Sequence, residues 1–237
     1  IRGAELVGVC DSEILMAKQM SERYGAKGFY DNVNRLLEIE NLDVIHITTP
    51  PQSHFELGQI CLEAGCNVYI EKPFTVQLAE AEELINLADK HSLKLTVGHN
   101  AQFNHAALQM RELIRKGFLG GDPIHMESTW CYSFENPGYA KAILGDSNHW
   151  IRSLPGGYLH DILSHGISRI VEYLKGDDPT VIAKGHISPL LASIGENDII
   201  DELRVIICDN HNTTAYYTFS SQINPPLKQF KIFGPRN

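Results

Sequence analysis

Apolar residues run almost unbroken through Asp43-Val44-Ile45-His46-Ile47-Thr48 and again through Asn67-Val68-Tyr69-Ile70. Each run halts at polar residues and a proline: Thr48-Thr49-Pro50 after the first, Glu71-Lys72-Pro73 after the second. Short apolar runs without alternation read as parallel strands covered on both faces. A helix-like pattern follows each. Open α/β sheets bind ligands at the carboxyl ends of such strands, so Thr48, Thr49, Glu71 and Lys72 are expected along one rim.

The pattern extends to both sides. Residues 4–9 read as a buried strand, and Ile14, Ala17, Met20 and Tyr24 then recur at helical spacing until Gly25. A short strand at 27–29 and a short helix at 33–38 come next. Ser53-His54-Phe55-Glu56 has the form of a capping box and opens a helix burying Leu57, Ile60, Cys61 and Ala64, with Gly65 as its stop. A helix over 76–91 is expected to bury Leu78, Ala81, Leu84, Ile85 and Ala88, before a strand at 93–97. Repeated strand–helix–strand units give right-handed crossovers and a parallel sheet.

Past Gly98 the period changes. A helix is predicted over 104–116, a longer strand over 124–133, and a loop-rich stretch over 134–155. Leu159, Ile162, Leu163, Ile167, Ile170 and Leu174 predict one helix. Segments near 180–187, 203–208, 213–220 and 228–233 read as strands with no helices between, hence an antiparallel sheet. The fold class expected is α/β: a Rossmann-type parallel sheet over residues 1–100, then an α+β domain with a mostly antiparallel open sheet over 101–237.

Composition changes this picture little. The 237 residues are 43% hydrophobic and 21% charged, ordinary for a globular protein, and the net charge of −9 shows no basic stripe for nucleic acid or an anionic membrane. No apolar run approaches the length of a membrane span, and no signal peptide opens the chain. Cys10, Cys61, Cys66, Cys131 and Cys208 lie mostly in apolar runs and lack metal-site spacing, as expected of reduced thiols in a cytoplasmic protein. His149, His160, Asp161 and His165 could be scanned as metal ligands, but the spacing of His160 and His165 points them to different helix faces; no metal is expected.

One feature of a dinucleotide fold is missing. Asp11 ends a strand and opens a helix, where an acidic residue bonds the adenosine ribose hydroxyls; on its own, it also suits a plain helix cap. A Gly-x-Gly-x-x-Gly turn should lie about 20 residues earlier, yet none occurs anywhere in the sequence. The first strand of the order 3-2-1-4-5-6 is therefore expected to be absent, leaving two inner sheet edges, and the chain reads as N-terminally and C-terminally truncated.

Five motifs in order resemble the Gfo/Idh/MocA family of NAD(P)-dependent oxidoreductases: Val7-Gly8-Val9-Cys10-Asp11, Thr49-Pro50-Pro51-Gln52-Ser53-His54, Glu71-Lys72-Pro73, Val97-Gly98-His99-Asn100, and Gly156-Gly157-Tyr158-Leu159-His160-Asp161-Ile162-Leu163-Ser164-His165. The sequence departs from the family at Leu163, where glycine is common, at Gln102, where arginine is common, and in its lack of the Gly-rich turn. The resemblance implies a Rossmann domain, a substrate domain whose sheet builds a homo-oligomer, and a catalytic group of Lys72, Asp161 and His165. It further implies cofactor contacts from Asp11, Thr48, Thr49, Pro50, His54, Glu71 and Lys72, with Glu71-Lys72-Pro73 beside the nicotinamide. Asn100, Gln102, Trp150, Tyr158 and His160 are the candidates for the substrate pocket.

The chemistry suits these residues. Oxidation of an alcohol needs a base for the hydroxyl proton and positive charge near the developing alkoxide. Asp161 and His165 are spaced i, i+4 on one helix face, so the carboxylate can orient an imidazole that serves as the base. Lys72, stiffened by Pro73, can hold the substrate oxygen. Asp11 favours NAD over NADP, since it would repel a 2′-phosphate. The expected activity is hydride transfer between NAD(P) and a hydroxyl carbon of a sugar or polyol. Two alternatives remain: an NAD-dependent glycosidase on the same scaffold, and a non-catalytic dinucleotide or sugar sensor.

Overall fold

The computed structural model describes residues 3–134, 139–176 and 178–236. Two compact units compose it, Ile1–Gly98 and His99–Asn237.

The first unit runs β1 (Gly8–Cys10), α1 (Ile14–Tyr24), β2 (Gly28–Tyr30), α2 (Val33–Ile39), β3 (Val44–Ile47), α3 (His54–Glu63), β4 (Asn67–Ile70), α4 (Leu78–Lys90) and β5 (Leu95–Val97). All its pairings are parallel. Its core is Ile47, Cys61, Leu62, Val68, Ile70, Leu84 and Ala88, where the two apolar runs meet α3 and α4.

The strands form two separate sheets, β1–β2 and β3–β4–β5. Among the described residues, none is hydrogen-bonded between β1 and β3. The apolar face predicted for α1 consequently finds no cover: Ala17 is buried, but Ile14, Met20 and Tyr24 are exposed. The strand expected over 4–9 shrinks to Gly8–Cys10, paired on one edge only. Gly25 caps α1 in the left-handed region at φ 70°, as its sequence position predicts.

Three local expectations need correction. Pro51–Ser53 forms a 3₁₀ turn that starts the helix early, so Ser53 caps nothing; its hydroxyl donates to Thr49 Oγ1 at 2.8 Å. Glu80 instead reaches back to the Gln77 amide at 3.0 Å at the start of α4. Within α4 only Leu84 and Ala88 are buried, while Leu78 is 75% and Ile85 50% exposed. Ile85 lies about 100° around the helix from Leu84, off the narrow stripe that meets the sheet. In α3, Cys61 is buried as expected, but Leu57 and Ile60 are half-buried and Ala64 is exposed, while His54, Gly58 and Leu62 face inward.

The second unit runs α5 (His105–Arg115), β6 (His125–Ser133), α6 (Tyr139–Gly145), α7 (Gly157–Ile162), α8 (Ser164–Val171), β7 (Thr180–His186), α9 (Pro189–Ser193), β8 (Glu202–Cys208), β9 (Thr214–Ser220) and β10 (Gln222–Phe233). One five-stranded sheet has the order β10-β6-β9-β8-β7. Its pairings are antiparallel except β6 with β9, which run parallel. Met126, Ile143, Tyr158, Ile162, Ile170, Val205, Tyr217 and Phe219 lie in its core.

Here too the sequence expectation is refined. Of the stretch over 134–155, residues 135–138 lie outside the described residues, and the rest holds α6 and a 3₁₀ turn at Trp150–Ser153 rather than loop alone. The single helix expected over 159–174 is two, α7 and α8, parted at Leu163. A short helix, α9, sits between strands β7 and β8. The sheet is mixed because β6 runs parallel to β9 while its other pairings are antiparallel. No described helix is long and apolar enough to cross a membrane. All five cysteines are free. Burial raises the Cys61 thiol to about 12 and also raises Cys66 and Cys131, as expected of packed core thiols.

Candidate functional site

In the first unit the rim is set by register. Ile47, Ile70 and Val97 lie abreast across β3, β4 and β5, so these strands end in line. Thr48, Thr49 and Pro50 follow β3 and are exposed; Glu71 and Lys72 follow β4 and are half-buried. The Glu71 amide donates to Ile47 O at 2.9 Å and the Gly98 amide to Ile70 O at 2.7 Å, which carries the pairing to the last residue.

Glu71 turns back on its own strand. Its carboxylate accepts from the Tyr69 hydroxyl at 3.4 Å and from the Lys72 amide at 3.2 Å. Burial and that neighbouring carboxylate raise the Tyr69 hydroxyl. A Cβ at position 98 would lie 2.7 Å from the Tyr69 hydroxyl and 2.8 Å from Glu71 Oε1, and would displace those side-chain ends. The Val97-Gly98 motif thus makes room for the Glu71 carboxylate.

His54 stands elsewhere than expected. It is fully buried, and both ring nitrogens lie against backbone carbonyls: Nε2 is 2.8 Å from Thr49 O, and Nδ1 is 2.9 Å from Pro73 O and 3.2 Å from Phe74 O. The imidazole therefore ties the loop after β3 to the loop after β4 from beneath. It braces the rim rather than touching a ligand.

Asp11 is exposed at the end of β1. Its Oδ1 accepts from the Glu13 amide at 2.9 Å, and its own amide donates to Tyr30 O at 3.1 Å. It is not the N-cap of α1, a position held by Glu13. Acidic, exposed and at a strand end, it suits ribose hydroxyls. The strand-end hydroxyls and Asp11 fit the ribose and nicotinamide parts of a dinucleotide; the sequence contains no Gly-rich turn to cradle its phosphates.

In the second unit the Gly156-Gly157 turn launches α7. A Cβ on Gly156 would come within 3.2 Å of His160 Cβ, and Gly157 adopts φ +51°. Leu163, at φ −57° and ψ −39°, keeps helical backbone across the break. Asp161 is buried on α7, and His165 is half-buried in the first turn of α8. Asn100 is exposed, while His160 and Trp150 are half-buried, with the Trp150 ring 5.5 Å from that of His149.

Two pocket candidates are used otherwise. Tyr158 is buried in the core, its ring 5.1 Å from Phe134 and 5.7 Å from Phe219 and its hydroxyl bonded to that of Tyr132. It packs in that core. Gln102 donates from Nε2 to Ser168 O at 3.1 Å, while Arg111 Nη1 donates to Gln102 O at 2.6 Å. It fastens the Asn100–Phe103 turn to α8.

Sequence reasoning missed Trp130. Its indole stacks on the His165 imidazole, with centroids 4.9 Å apart and planes within 8°. Among the described residues no group of three His, Cys, Asp or Glu is placed to hold a metal ion.

A parallel strand–helix unit, followed by an α+β unit whose mixed five-stranded sheet carries Asp161 on α7 and His165 on α8, is a Rossmann-type architecture with a second domain. Residues 1–99 match the family described as "Oxidoreductase family, NAD-binding Rossmann fold". That match covers the first unit.

Among its relatives, D-glucoside 3-dehydrogenase of Escherichia coli is 34% identical over 116 residues, 49% of this chain and 33% of that protein. UDP-N-acetylglucosamine 3-dehydrogenase of Acidithiobacillus ferrooxidans is 25% identical over 230 residues, 97% of this chain and 64% of that protein. The crystal structure of myo-inositol 2-dehydrogenase from Lactobacillus plantarum is similar at a TM-score of 0.80 and 21% identity, covering 99% of this chain and 68% of that one, which bears on the fold. The chain spans less than two thirds of the length of the curated relatives it matches.

Proposed function

We propose that the chain acts in an NAD(P)-dependent oxidoreductase that transfers a hydride at a hydroxyl carbon of a sugar or polyol. The observation that carries this reading is the alignment of the β3, β4 and β5 ends, with Thr48, Thr49, Glu71 and Lys72 on that rim. Relatives bearing the names of sugar dehydrogenases support the substrate class.

Asp11 would bond the ribose hydroxyls and favour NAD over NADP. Thr48, Thr49 and Pro50 would lie along the dinucleotide, with Glu71 and Lys72 beside its nicotinamide end. When bound, the dinucleotide supplies the hydride acceptor. Lys72 holds the substrate oxygen with its ammonium and offsets the negative charge that grows there. His165 takes the hydroxyl proton, and Asp161 orients its imidazole. Asn100, Trp150 and His160 remain the candidates for substrate contact. The outward face of the second sheet shows Ile182, Ile206 and Tyr216 in register and exposed, which supports a homo-oligomer formed there.

The test is titration with NADH and NADPH, followed by nicotinamide fluorescence, and then a screen of sugars and polyols for NADH formation. Saturable NADH binding, tighter than NADPH, and turnover reduced about a hundredfold or more by His165→Ala are the expected results. Release of a leaving group without net NADH would replace this reading with the glycosidase. Binding with no turnover of any sugar would replace it with the sensor.

A further inference from the structure

We propose that Trp130 is the positioning residue for His165, fixing the plane in which its imidazole is presented; this rests on the acid–base reading of His165 above. Trp130 lies on β6, on the strand face it shares with Met126 and Ser128, against which α8 packs. The backbone at His165 is already anchored next door. A Cβ on Gly166 would lie 2.2 Å from Tyr217 Cε2, so only glycine lets α8 sit this close to the sheet. Ser128 Oγ donates to Gly166 O at 3.1 Å. Further along α8, Gln102 bonds Ser168 O, and Arg169 Nη1 donates to Ala101 O at 3.0 Å.

With the helix held at both places, the freedom left to His165 is rotation about its own side-chain torsions. A parallel indole at 4.9 Å leaves the imidazole one plane. Trp130 is itself held: Lys228 stands directly opposite it in the β10–β6 register, with Nζ 4.6 Å from the indole centroid. In sequence, the charged residues one turn from His165 are Asp161 on α7 and Arg169 on α8, and Lys228 from β10 stands over the indole. The side chains that β6 turns to α8 (Met126, Ser128 and Trp130) are uncharged. A general base must meet its proton within hydrogen-bond reach, and a misplacement of about 1 Å can cost about a hundredfold in rate.

The test joins a spectroscopic arm to a kinetic one. In the whole chain with labelled histidine, the ring protons of His165, assigned by their loss in His165→Asn, are expected upfield under the indole ring current. Trp130→Leu abolishes that shift, while Trp130→Phe keeps part of it. On a working sugar or polyol, Trp130→Leu lowers kcat about tenfold or more with KM unchanged, and Trp130→Phe restores it to within about threefold of the parent. A His165 resonance unmoved by Trp130→Leu, or a Trp130→Leu kcat at the parent level, overturns the proposal. Should the parent turn over no sugar or polyol, the oxidoreductase reading falls, while the ring-current comparison still decides whether Trp130 holds the imidazole.

Discussion

The two units carry their candidate residues in opposite ways. In the first, Thr48, Thr49, Glu71 and Lys72 follow strand ends whose positions are fixed by backbone pairing. In the second, His165 depends on what packs around it: Gly166 against Tyr217, Ser128 under the helix, Trp130 beside the ring. A strand end tolerates a new side chain, because register rather than packing places it. A site on a docked helix transmits every change beneath it.

The largest effect expected is on the packed side. Gly166→Ala drives a methyl into Tyr217 and should destabilise the second unit by about 3 kcal/mol, read by urea denaturation. Lys72→Ala is the counterpart at the rim: turnover falls about a hundredfold while stability stays within about 0.5 kcal/mol of the parent. If Lys72→Ala unfolds the unit, or Gly166→Ala is neutral, the contrast fails.

His54 sharpens the comparison, because it is packed beneath the rim. His54→Ala leaves the carbonyls of Thr49 and Pro73 without their buried partner and should cost about 2 kcal/mol, a loss visible in the melting of the first unit. A surface histidine would show almost nothing.

Acid should find the second unit through Glu202. Burial alone would raise this carboxyl, but hydrogen bonds from Ser220, Gln222 and Arg204 outweigh it and hold the group below the ordinary range. Because its folded value lies below its unfolded one, the stability it contributes is full above about pH 4.3 and fades as pH falls through the folded value. Urea midpoints at pH 6 and pH 3 should differ less in Glu202→Gln than in the parent. The smallest effect belongs to Arg111→Ala. Its pair with Glu172 is partly exposed and its bond to Gln102 O is a single one, so a loss of at most about 1 kcal/mol in urea is expected.

Much of the fold was legible because short-range pattern decides it. The runs at β3 and β4 and the glycine stop at Gly25 need no distant partner to be read. The apolar stripe of α1 was legible too, yet Ile14, Met20 and Tyr24 are exposed, because burial depends on a layer that periodicity cannot supply. Leu78 and Ile85 misled for a related reason: the sheet meets α4 along a stripe narrower than its apolar face. The pairing of β6 with β9 joins His125 to Thr214, and no local window contains both.

The candidate site divides in the same way. Lys72, Asp161 and His165 could be named from motif and spacing. Trp130 could not, because a strand tryptophan reads as core until the helix laid over it is known. His54, Tyr158 and Gln102 were read as facing a ligand, since sequence marks a polar residue near a motif but not which way its side chain turns.

One consequence of the sheet order concerns synthesis. Strand β6 lies between β9 and β10, both made after it. At usual elongation rates of roughly 5 to 20 residues per second, the first residue of β9 follows the last of β6 by between about four and sixteen seconds. For that interval a nine-residue segment containing Met126, Trp130, Cys131 and Tyr132 has neither neighbour to pair with. The strand that seats α8 is thus also the one a ribosome-associated chaperone would have most time to bind.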